Sequence, residues 1–213
     1  MLLERIQKQR AGDTNTQEKH RNAPKKVSKE TFLKRGAIIS YIVRHLSDRP
    51  TFGRTQLEKT LHIAQTHLGI DMEFDFERYA AGPFDKVIFK IEGTAKKKEW
   101  FTTQKRSTRG VTYHPGPKID QMCQYATGYL GNKIKAFDEL LRHVARMNTD
   151  EAELFATAYA AWNDLLLVGK PATDDAIIAE IHAWHPRKER FSPETIRARL
   201  DWMRRNGYCP ERD

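Results

Sequence analysis

Four groups of side chains in this sequence have types and spacings that bear on chemistry. His62 and His67 stand five positions apart on one helical segment, which puts them on different faces, whereas a shared metal ion needs three or four. Packing or surface roles are expected for both. His182 and His185 have the compatible i,i+3 spacing, but no third ligand is near them in sequence, and Trp184 with Pro186 marks a helix end. Asp85, Lys90 and Glu92 have the composition of a metal-dependent nuclease centre without its pattern. They fall on a predicted helix, where alternating charge is ordinarily a solvated face. No dinucleotide fingerprint, P-loop, nucleophile elbow or HExxH pair occurs. No catalytic, metal or cofactor-binding residue is therefore expected.

The remaining chemistry is cationic. Lys96, Lys97 and Lys98 precede Trp100 and Phe101, and Lys105, Arg106 and Arg109 follow on a predicted hairpin loop, so cations and aromatics interleave as on phosphate-binding surfaces. Near the carboxyl end Arg187, Lys188 and Arg190 lead into a helix bearing Arg197, Arg199, Arg204 and Arg205. Arg197 and Arg204 are seven apart and share a face. Lys96, Lys97, Lys98, Lys105, Arg106, Arg109, Arg197 and Arg204 are thus the candidate contacts to nucleic acid or an acidic partner. The competing reading of each cluster is a solvated helix or loop face.

The elements that must position these groups are mainly helical. Ser28 is an N-cap ahead of Phe32, Ile38, Ile39, Ile42, Val43 and Leu46, and Asp48-Arg49-Pro50 stops the pattern. Leu57, Leu61, Ala64, Gln65 and Leu68 set a stripe on a second helix ending at Gly69. Phe74, Phe76 and Tyr79 alternate with polar residues, which predicts a strand leading into Ala80-Ala81-Gly82-Pro83. Helical spacing returns over Asp85 to Lys98. Trp100-Phe101 and Gly110 to Tyr113 predict a small hairpin, and Pro117 to Met147 reads as one long helical region. Asn148, Thr173 and Ser192 begin three more helices, the last with Pro193 in its first turn.

The chain has 213 residues, enough for one domain with an appendage or two small ones, and a formal net charge of +9. Ten Lys or Arg and four acids fall within residues 1–35, so six of the nine net charges lie there and only three on the remainder. Residues 1–27 read as a helical stub and a basic linker. Cys123 and Cys209 are the only cysteines, without CxxC or zinc spacing, which points to a reducing compartment. No run approaches the roughly 20 apolar residues of a membrane span, and the amino terminus lacks a signal-peptide core. A cytoplasmic protein is expected.

Gln56-Leu57-Glu58-Lys59-Thr60-Leu61-His62-Ile63-Ala64-Gln65, followed by Tyr79-Ala80-Ala81-Gly82-Pro83-Phe84, resembles the Panacea or SocA-like domain, in which a helix of the form LxKLLYxAQ precedes a strand ending in a Gly-Pro turn. The likeness covers about residues 33 to 147, with Thr60 and His62 in place of the more usual Leu and Tyr. That family is associated with antitoxins and with accessory regions of phage-related and restriction proteins, and it transfers no catalytic residues. Its structural motif maps onto Leu57, Leu61, Gln65, Gly82 and Pro83. A second likeness sets a context: Leu2 to Ala11 is similar to the closing coiled-coil segment of type I restriction-modification specificity subunits. Trp184 to Ser192 and Leu200 to Arg204 resemble the tail beyond such segments.

The expected architecture is mainly α with a small β hairpin or sheet: a stub and linker over residues 1–27, a Panacea-like helical domain over 28–147, and a helical extension over 148–213 packed on it. The resemblance implies a non-catalytic accessory module of a type I restriction-modification system, docking on its other subunits, with DNA phosphates as a further contact. The alternatives are a free-standing antitoxin-like regulator that neutralises a toxin protein, and a winged-helix-type DNA-binding regulator. The partner and the oligomeric state are not specified by the sequence.

Overall fold

Four of the helix starts are set by side chains that accept from the first turn. Ser28, Asn148, Thr173 and Ser192 receive the N–H of Thr31, Glu151, Ala176 and Thr195 respectively. Glu151 also reaches back to the Asn148 N–H at 2.8 Å, closing a capping box. The computed structural model describes residues 27–211 except Arg109. The stub and linker expected over 1–27 lie, apart from Val27, outside the described residues, as does Arg109.

The fold is mainly α, with eight α-helices and two separate two-stranded antiparallel sheets among the described residues. In order these are α1 (Lys29–Leu46), α2 (Arg54–Thr66), β1 (Glu77–Tyr79), β2 (Gly82–Phe84), α3 (Val87–Lys97), β3 (Phe101–Lys105), β4 (Val111–Pro115), α4 (Ile119–Leu130), α5 (Ile134–Val144), α6 (Thr149–Leu167), α7 (Asp174–Trp184) and α8 (Pro193–Arg205). None is long and apolar enough to cross a membrane.

Helix α1 packs along α4, and α2 along α6, which also carries α7, α8 and the β1–β2 hairpin. One apolar cluster runs from Ala37 through Leu57, Leu61, Phe137 and Phe155 to Tyr208. The described residues of 28–147 and 148–211 therefore share a single core, and α6 lies inside it with Ala152 to Ala161 all buried.

Three sequence expectations need correction. The strand anticipated over Phe74 to Tyr79 is regular only at Glu77–Tyr79, paired to Gly82–Phe84 across a two-residue turn. The segment before it has side chains as its partners: Gln65 bonds both the N–H and the C=O of Phe74 at 2.9 Å, and buried Arg35 donates to Met72 O at 2.7 Å and to Glu73 O. A strand partner is unnecessary once those groups are satisfied. The long helix expected from Pro117 to Met147 is two helices, broken at Gly131–Lys133 with Gly131 at φ 53°. Asp85 does not lie on α3. It precedes the helix and accepts from Val87 N at 2.8 Å and Asp75 N at 2.9 Å.

Gly82 is fixed by two independent constraints. Its φ is +91°, and a Cβ there would stand 2.6 Å from Thr157 Oγ1 of α6 and 3.3 Å from Lys59 Cε of α2. Gly82→Val is expected to cost about 2–5 kcal/mol through the left-handed backbone and overpacking together. Circular-dichroism melting should show a fall of roughly 5–15 °C; a variant that melts like the parent would contradict this placement.

Candidate functional site

Helix α2 is buried on every side from Gln56 to Ala64, although five of those nine residues are polar or charged. Leu57, Leu61 and Ala64 fill the core as their spacing predicts. The polar positions reach irregular backbone. Gln56 Nε2 donates to Met147 O at 2.6 Å, Lys59 Nζ to Pro83 O at 2.5 Å, and Gln65, which the sequence places on the apolar stripe, clamps Phe74. The helix thus carries side-chain clamps on two connections, at Met147 and Phe74, and on strand β2 at Pro83.

A charged cluster closes around Gly82 and Pro83 at the start of β2. Lys188, in the 3-10 turn Pro186–Arg190, has no exposed surface and donates to Glu153 Oε1 at 2.7 Å and Thr157 Oγ1 at 3.0 Å. Arg190 adds a contact to Glu153 at 3.0 Å and to Asp150 at 2.8 Å. Burial drives the Lys59 ammonium down to about 7, partly offset by Glu58 and deepened by Lys188. Burial likewise raises the Glu58 carboxyl to about 8, against Lys59 and the Asp85 N–H. Burial, with Lys59 adding, lowers His62 to about 3. His62 stands edge-on to Phe76 and Tyr159, and its Nδ1 has no hydrogen-bond partner among the described residues.

The other sequence candidates have structural partners. Glu92 takes both Arg54 donors, at 2.9 and 2.7 Å, together with the Tyr113 hydroxyl. His182 bonds Phe191 O at 2.9 Å, and His185 caps the 3-10 turn by accepting from Arg187 N at 3.1 Å. His67 lies against the Tyr159 and Tyr208 rings.

The structure does not gather the cationic candidates into one surface. Lys96, Lys97 and Lys98 are exposed at the end of α3, and β3 separates them from Lys105 by about 14 Å of strand. Arg106 turns inward, donating to Phe52 O at 2.6 Å. Arg197 pairs with Asp175 at 2.6 Å, and Arg204 with Asp174 and, at 3.1 Å, Asp201, so α7 carboxylates face this side of α8.

What the fold does bring together is a groove of about 590 Å³ between the start of α2, the β3–β4 loop and the Pro186–Arg190 turn, with Arg54, Lys59, Phe84, Arg106 and Arg187 on its walls. Gly53 allows the walls to meet, since a Cβ there would stand 2.9 Å from Val111 O. Beside two of its lining residues Phe89 is 52% exposed, 5.8 Å from Phe84 between ring centroids, with the Arg54 guanidinium 4.7 Å over its face. Sequence reasoning singled out none of Glu153, Lys188, Phe89 or Arg54 as a site residue. The one available signal was Glu153 and Thr157 at i,i+4 within an otherwise apolar stretch; Lys188 reads as one more surface cation. No family model and no curated protein matches the chain.

Two measurements probe this cluster. Breaking the buried pair from one side, by Lys188→Met or Glu153→Gln, is expected to cost about 3–5 kcal/mol in urea unfolding. The double replacement by Met should cost less than the sum. For His62 the sign is set by the proton inventory: as pH falls from 6.5 towards 3 the unfolded chain takes up a proton that the folded chain refuses. Stability should therefore drop by about 1.4 kcal/mol per pH unit across that window. His62→Gln should remove this slope, and parallel profiles for the two proteins would refute the assignment.

Proposed function

We propose that this chain is a non-catalytic interaction module of a restriction-modification system, docking on a protein subunit through the ridge of Phe84, Phe89 and Arg54 and the groove beside it. The observation that carries this reading is Phe89, a large aromatic more than half exposed, backed by a second aromatic and topped by an arginine. Aromatic residues and Arg are the groups enriched where proteins bury surface against one another. The motif side chains support the same division of labour. Gln56, Lys59 and Gln65 are consumed in holding connections, which leaves the outward face to do the binding.

The resemblance to the Panacea domain and to the tail of specificity subunits supports the restriction context. Lys96, Lys97 and Lys98 supply an auxiliary contact to DNA phosphates, without base readout. A toxin protein is the alternative partner, and it would use the same Leu57 to Phe84 region.

Co-purification of the tagged chain from its native host separates these partners. Recovery of methyltransferase or restriction subunits in stoichiometric amount is the expected result, and a single small protein whose toxicity the chain relieves would favour the alternative. Phe89→Ser, which removes an exposed ring and little packing, should abolish recovery with the melting temperature held. Undiminished recovery would exclude the ridge, and absence of any protein partner would sink the reading.

A further inference from the structure

The groove has a charge that its own acids do not cancel. Asp150 and Glu153 are the carboxylates on its walls, and both are already engaged, Asp150 by Arg190 at 2.8 Å and Glu153 by Lys188 at 2.7 Å and Arg190 at 3.0 Å. Arg54 is matched by Glu92. Lys59 is buried and spends its ammonium on the Pro83 carbonyl, so Arg106 and Arg187 are left. Arg106 gives one donor to Phe52 O, while its Nε is buried without a partner among the described residues, and Arg187 is exposed on the facing wall. Helix α2 adds to the same polarity, because Gly53 supplies no side-chain cap and the residues of its first turn line the groove.

Resting on the interaction-module reading, we infer that the groove receives an acidic segment of the partner protein. A carboxylate sits between Arg106 and Arg187, and a neighbouring aromatic or branched aliphatic side chain lies on Phe84 and Phe89. Charge complementarity selects this occupant. The chain's own residues 1–26 carry seven basic and three acidic side chains and would be repelled. Duplex DNA has the right sign, but a cleft of about 590 Å³ takes a few side chains and not a double helix.

Fluorescence anisotropy with a labelled peptide of Asp and Glu interspersed with Phe and Leu tests this on the full chain. The peptide should bind, weaken with salt, and lose about tenfold in affinity, equal to 1.4 kcal/mol, in Arg187→Glu. That side chain is exposed, so folding should be kept; Arg106→Ala should act in the same direction. Its Asn and Gln counterpart should bind at least about tenfold more weakly, and Lys96→Ala/Lys97→Ala/Lys98→Ala should leave the affinity unchanged. Equal binding of both peptides, indifference to Arg187→Glu, or displacement of the peptide by duplex DNA would overturn the inference. If the native partner still co-purifies with Arg187→Glu undiminished, the groove assignment fails while the module reading stands; if the wild-type chain recovers no partner, that reading fails first.

Discussion

Charge that has been taken out of water must find a partner or be given up, and this fold does both at one place: Lys188 is paired with Glu153, while burial favours the neutral forms of Glu58, Lys59 and His62. Helix α2 runs through the interior with Glu58, Lys59 and His62 on it, and α6 runs beside it with Glu153. An isolated buried ion is costly enough that geometry follows from pairing. Lys59 finds the Pro83 carbonyl, so the β1–β2 hairpin has to lie on α2. Lys188 finds Glu153 and Thr157, so the 3-10 turn after α7 has to fold back onto α6. Gly82 is the residue that lets the hairpin come close enough, because any Cβ would occupy space held by Thr157 and Lys59.

The same pairing decides what the outside looks like. Once the hairpin and the Pro186–Arg190 segment are seated, they form two walls of the groove, and Phe84 is carried to it beside Phe89. Surface charges are sorted by neighbourhood, not by sequence density. Arg197 and Arg204 of α8 face Asp175 and Asp174 on α7 and are largely neutralised, though such exposed pairs contribute little to stability. Arg187, one residue before the fully buried Lys188, stays exposed. Adjacent cations thus have opposite roles, one as a core strut and the other as a free contact.

Much of the secondary structure was legible because its signals are local. The caps at Ser28, Asn148, Thr173 and Ser192 act within one turn, and the hairpin of β3 and β4 follows from two short aromatic-bearing runs. The misread segments are those where a distant side chain does the work of a local one. Phe74 alternates like a strand residue, yet its backbone groups are satisfied by Gln65 and its ring by Arg35, 4.6 Å away. Likewise the apolar spacing from Ile119 to Val144 runs unbroken through Gly131, and only the positive φ there separates two helices.

By itself the sequence determined that the chain is mainly helical, where most helices begin, and that Leu57 and Leu61 face inward. These depend on hydrophobic period and capping, which act over a few residues. The turn expected at Gly82-Pro83 is formed instead by Ala80-Ala81, with Gly82 and Pro83 paired in β2. Only the tertiary structure decided which charges are buried. Lys59, Lys188 and Glu153 look in sequence like any solvated Lys or Glu, because burial is a property of the packed neighbours and not of the residue. For the same reason it took the fold to separate Lys96, Lys97 and Lys98 from Arg106, to place Arg54, Phe84, Arg106 and Arg187 around one groove, and to set Phe89 against Phe84 and Arg54.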